Sequence, residues 1–160
     1  MGGLGDAERT LKIMKDPACG PIGVLSLIII CILKWSAIYL LLQKQMYIAL
    51  LLFPVLGRAT PLVLFLTTNY VRAKGLGRSI ASTMPRKSAW LLVMVIVCGS
   101  FYFAWLGLIA CMSMMIGLWY LRRKFIQRIG GITGDTVGAS IEIIECVSLL
   151  VFTMGSFYLR

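Results

Sequence analysis

Long apolar runs broken by short basic connections leave this chain few possible folds. Residues 22–42, 46–68, 89–121 and 136–159 are apolar almost throughout. A helix rises about 1.5 Å per residue and must cross about 30 Å of hydrocarbon, so runs of this length read as membrane-spanning helices. Composition agrees, with 59% of the 160 residues hydrophobic, 14% charged and a mean hydropathy of +0.90. A soluble domain of this size has no interior large enough for that much apolar surface. The fold class expected is all-α, a polytopic integral membrane helix bundle without a large extramembrane domain.

The stretch 89–121 is too long for one span unless it is steeply tilted, so a turn is expected between Gly99 and Gly107. That gives about five spans, at residues 22–42, 46–68, 89–104, 105–121 and 136–159. A short surface helix at residues 6–16 precedes them, with Asp6 as N-cap and Pro17 as its stop. Charge supports the split. Arg72, Lys74, Arg78, Arg86 and Lys87 occupy a connection without an acid, and Arg122, Arg123, Lys124 and Arg128 follow the fourth span. Five spans put both clusters and the N-terminus on one face, which the positive-inside rule assigns to the cytoplasm, with the C-terminus outside. The net charge of +10 reads first as contact with the anionic lipid bilayer. Nucleic acid is not an expected partner, because the basic loops carry no aromatic residues besides Tyr70 and Phe125.

The chain has no His, and its five Cys form no Cys-x-x-Cys, so zinc, haem and iron–sulfur centres lack their usual ligands. No cleavable signal layout and no phosphate-binding Gly-rich Walker motif occur. Ionisable groups inside spans are expensive and point to function. Lys34 reads as functional or as snorkelling to the far surface. Arg58 lies in the second span between Pro54 and Pro61, where broken helix geometry calls for an enclosed polar environment or a buried ion pair. Near the last span, Asp135, Glu142 and Glu145 fall within roughly an 80° arc of a helix, the kind of acidic face that holds Mg²⁺ beside a phosphate. Gly134 and Gly138 equally fit plain helix packing, and Asp135 equally fits an N-cap.

Gly131-Ile132-Thr133-Gly134-Asp135-Thr136-Val137-Gly138-Ala139 followed by Glu142 closely resembles the C-terminal signature of the cobalamin synthase family, adenosylcobinamide-GDP ribazoletransferase. Glu8-Arg9 with Ile13-Met14-Lys15-Asp16 and Gly20 to Gly23, Gly57-Arg58 and Gly75-Leu76-Gly77 resemble further family motifs in the same order. The resemblance implies a Mg²⁺-dependent transferase in the inner membrane of a prokaryote, with its active side cytoplasmic. It would join adenosylcobinamide-GDP to α-ribazole or its 5′-phosphate and release GMP. Such a reaction needs positioning and charge neutralisation more than covalent chemistry. On this reading Asp16, Lys15 and Asp135 are catalytic, Lys12, Arg58, Gly131, Thr133 and Gly134 bind substrate, and Asp135 and Glu142 hold the metal. Glu145 is the alternative partner of Arg58. A homo-oligomer is compatible with this reading.

The chain departs from the family pattern at Pro17-Ala18-Cys19, in place of a Ser-Arg pair, and at Lys74, where an acid is common. The resemblance also implies two upstream membrane segments and an acidic metal-binding motif that this sequence lacks. The 160 residues are therefore expected to be weakly active or inactive unless a partner supplies the rest. The competing expectation is a small transporter or channel whose broken second helix and charged last helix line a polar path.

Overall fold

The structure is a computed structural model that describes residues 7–16, 18, 20–72 and 76–158. It is an all-α bundle of α1 (Ala7–Ile13), α2 (Pro21–Gln43), α3 (Ala49–Thr67), α4 (Leu76–Thr83), α5 (Arg86–Ser100), α6 (Ala104–Ile129) and α7 (Gly134–Tyr158), with a 3₁₀ turn at Phe101–Phe103. The stretches Pro21–Gln43, Ala49–Thr67, Arg86–Ile129 and Gly134–Tyr158 are each long and apolar enough to cross a membrane. α1 ends at Ile13, short of the expected residue 16, and runs out in a turn closed by Lys15 N–H to Lys12 O and Asp16 N–H to Ile13 O. The expected cap Asp6 and stop Pro17 lie outside the described residues, as does Lys74.

Pro21 opens α2, where its missing N–H costs nothing and its fixed φ suits a first turn. α2 closes in a Schellman arrangement. Gln45, with φ 58°, takes the left-handed position, while Met46 N–H reaches Leu41 O and Gln45 N–H reaches Leu42 O. This folds α3 back antiparallel. α3 stays one helix through Pro54 and Pro61, so the expected break in the second span does not occur.

The third apolar stretch is broken. Ala104 has φ 49° and ψ −126°, a conformation L-residues avoid. Immediately beyond it the chain passes so close to the end of α5 that a Cβ on Gly107 would overlap the Ser100 carbonyl oxygen. α5 and α6 therefore form a hairpin. Its outer ends both reach the C-terminal end of α3, where Arg86 Nη2 donates to Leu66 O at 3.3 Å and Arg122 Nη2 to Thr67 O at 2.8 Å. α6 runs on to Ile129, beyond the expected residue 121, and stops at Gly130, whose φ of 75° is a left-handed cap. Arg123 over Trp119 and Lys124 over Tyr120 mark where α6 leaves the apolar layer.

α7 lies at the centre against α2, α3 and α6. Leu56, Leu64, Ala110, Ile144 and Phe152 are fully buried between α3, α6 and α7. The Phe152 ring meets Phe53 and Phe103 edge-on at 5.3 and 5.6 Å. Ser140, Ser148 and Thr153 are buried on α7 and return their hydroxyls to carbonyls four residues back, so no lipid-depth polar atom is stranded by them.

Candidate active site at the basic end of the bundle

The start of α7 is built by local chemistry. Thr133 and Thr136 cap one another: Thr133 N–H donates to Thr136 Oγ1 at 2.9 Å and Thr136 N–H to Thr133 Oγ1 at 3.3 Å. Asp135 is thus not the N-cap, and its carboxylate is free to turn outward. The approach to α7 is pinned to the end of α3 by a single parallel bridge between Tyr70 and Ile132, with Ile132 N–H on Asn69 O and Val71 N–H on Ile132 O, both 2.9 Å. Gly131 must be Gly there, because a Cβ would overlap the Asn69 carbonyl oxygen. Tyr70 stacks on Phe65 and packs its ring against Gly77 of α4.

Arg72 follows directly from this bridge. Its Nη2 lies 2.7 Å from Asp135 Oδ2 and donates to Met14 O at 3.3 Å, tying the turn after α1 to α7, while its buried Nε has no partner among the described residues. Arg122 donates through Nε to Thr68 Oγ1 at 3.0 Å. Arg72, Arg86, Arg122 and the N-terminus of α7 therefore share one end of the bundle, and α1 brings exposed Lys12 and Lys15 to it. Helix-start amides and guanidinium groups gathered in this way suit a phosphorylated, anionic ligand.

The second ionic layer lies deeper. Lys34 Nζ contacts Glu142 Oε2 and Glu145 Oε2, both at 2.8 Å. Lys34 is turned into the bundle with its side chain 18% exposed, so it does not snorkel away from it. Arg58 is exposed, has no hydrogen bond or ion pair among the described residues, and does not pair with Glu145.

The residues expected to form one site thus separate. Asp135 belongs to the basic end. Glu142 is seven residues along α7, about 10 Å deeper, and belongs to the Lys34 layer. Gly131 and Thr133 are buried in the bridge and the cap, where they position the helix, whereas Gly134 is open. Asp16 is exposed and accepts the Ala18 N–H at 2.9 Å. Mg²⁺ does not fit Asp135 and Glu142 as a ligand pair: each carboxylate faces a different cation, and no group of three or more His, Cys, Asp or Glu converges among the described residues. Nothing in the sequence marks Arg72 and Arg122 as site residues. They read only as members of basic loops, and the Tyr70–Ile132 bridge that aims Arg72 joins segments 62 residues apart.

A membrane-type helix bundle with an anion-suited end is the class these features define. The profile of the cobalamin-5-phosphate synthase family matches residues 1–153, and the chain belongs to that family. It is 53% identical over 159 residues to the adenosylcobinamide-GDP ribazoletransferase of Acinetobacter baumannii (strain ACICU), covering 99% of this chain and 64% of the relative. The adenosylcobinamide-GDP ribazoletransferase of Stutzerimonas stutzeri (strain A1501) is 45% identical over 150 residues, covering 94% and 61%. That of Pseudomonas fluorescens (strain Pf0-1) is 43% identical over 153, covering 94% and 62%. The chain thus spans less than two thirds of the length of these relatives. No solved structure matches it.

Proposed function

We propose that this chain carries part of the machinery of an adenosylcobinamide-GDP ribazoletransferase, which attaches α-ribazole or its 5′-phosphate to the cobinamide-linked phosphoryl group and releases GMP. The observation that carries the reading is the placement of Arg72 and Asp135 at the open N-terminus of α7, inside the segment that resembles the family signature. The start of α7 and Arg72 are placed to hold diphosphate oxygens, with Arg122 extending the positive surface. Asp135 orients Arg72 and stands next to open Gly134, where a phosphate approaches the backbone without a side chain in the way. Lys12 and Lys15 add long-range attraction for an anionic substrate.

Mg²⁺ dependence belongs to the proposal through the resemblance alone. Asp135 is held by Arg72 and Glu142 by Lys34. The proposal further places the chain in the inner membrane of a prokaryote with five crossings, α5 and α6 being separate spans, and with the basic end in the cytoplasm.

The test is transfer itself. The chain is joined to the part of the A. baumannii relative that it does not match, purified in detergent, and given Mg²⁺, adenosylcobinamide-GDP and α-ribazole. GMP release is expected. Failure to release GMP, with the intact relative active on the same substrates, rejects the reading.

A further inference from the structure

Arg58 is at mid-depth on the exposed side of α3, a helix long and apolar enough to span a membrane. Its direction follows from its neighbours. Gly57 faces α7, since a Cβ there would lie 3.4 Å from Glu145 Cβ and Ile141 Cγ2. One residue on, about 100° around the helix, Arg58 turns to the side where Pro54, Lys34 and Glu145 line a small cavity of about 110 Å³. On antiparallel α7 the residues turned to that side are Asp135, Gly138, Ala139 and Glu142, all exposed. α2 covers this side only along its second half, through Lys34, Ala37 and Leu41, and its earlier Leu25, Ile28 and Ile29 are exposed. An open groove therefore runs between α3 and α7 in the half of the bundle nearest the basic end. Its α7 wall is low, because a Cβ on Gly138 would meet nothing within 4 Å.

We propose that this groove seats a further membrane helix, which presents a carboxylate to Arg58 and packs closely on Gly138 and Ala139. Charge and length both favour that occupant. Lys34 already has two carboxylates, whereas Arg58 has no anion among the described residues, and an arginine left facing acyl chains at this depth is costly. Small residues let helices approach closely in a membrane, which gives exposed Gly138 and Ala139 a use that lipid does not. More than a third of the A. baumannii relative lies outside its match to this chain, which is ample length for a further span. The proposal rests on family membership and the membrane reading, and is independent of the reaction.

The test uses the same joined protein, with a photo-crosslinking amino acid at Ala139, irradiated in membranes and mapped by mass spectrometry. A crosslink within one polypeptide is expected, from position 139 to a segment of the joined part, within one turn of an Asp or Glu. Arg58→Glu and Gly138→Leu are each expected to lower its yield at least tenfold. Arg58→Lys is expected to retain most of it, as is Gly23→Leu, a change at another open position on α2. Gly138→Leu adds bulk where this chain has no neighbour, so monodisperse elution of that variant separates lost docking from misfolding. Capture of lipid alone, capture of a second copy, or a yield insensitive to both Arg58→Glu and Gly138→Leu overturns the proposal. The readout is contact, so it stands or falls separately from GMP release.

Discussion

Asp135 and Arg72 meet at 2.7 Å with side chains 55% and 21% exposed, so the pair contributes at most about 1 kcal/mol to stability. Its value lies in aim. Asp135→Asn in the joined protein is expected to leave the unfolding midpoint nearly unchanged while reducing GMP release about 100-fold. A large fall in stability with retained turnover would make Asp135 structural. Lys34 behaves in the opposite way. Removing it strands two glutamates at membrane depth, so Lys34→Met is expected to cost about 2 kcal/mol, discounted because Glu142 is 48% exposed. Adding Glu142→Gln and Glu145→Gln to Lys34→Met should recover most of that loss in a denaturant titration. No recovery would mean that Lys34 acts through packing. From the residues alone, the acids of α7 read as one face, and so they are, but one face spans two depths. Which cation reaches each acid depends on α2 and on the Tyr70–Ile132 bridge, neither of which local spacing describes.

At the scale of elements, the hairpin of α5 and α6 turns on Ala104, held at φ 49° and ψ −126°. Gly reaches that region without a Cβ penalty, so Ala104→Gly is expected to stabilise the protein by about 1 kcal/mol, measured as a raised melting temperature in detergent. A lowered melting temperature would show that the Ala methyl contributes packing that outweighs the strain. The apolar stretch is too long for one span unless it is steeply tilted, and a 3₁₀ turn at Phe101–Phe103 lies between Gly99 and Gly107. The ends of helices are harder to read. α6 outruns its apolar segment because Arg122 to Arg128 continue a helix as readily outside a membrane as inside, and only left-handed Gly130 stops it. Pro54 and Pro61 point to a break in α3, yet the helix runs unbroken from Ala49 to Thr67, packed against α5 and α7.

For the whole molecule, the hairpin gathers the basic connections at one end, with Arg86 and Arg122 both bonded to the last residues of α3. The opposite end is tied by Lys44, which donates to Ser156 O and stacks on Phe157. A single cysteine at Lys87 or Arg123, in a background without the native cysteines, is expected to react with an impermeant maleimide only from the cytoplasmic face. One at Gln45 should react only from the other face. Labelling of Lys87 and Arg123 from opposite faces would contradict the hairpin.

The amino-acid sequence by itself determined the all-α membrane-type bundle and the family, because apolar length and short motifs are local properties that survive without coordinates. Only the tertiary structure decided that Arg72 serves Asp135, that Lys34 serves Glu142 and Glu145, and that Arg58 is left facing an open groove. Ion pairing at membrane depth depends on which helices lie side by side and at what height. That arrangement is set by packing between segments remote in the chain, and no spacing within a single helix records it.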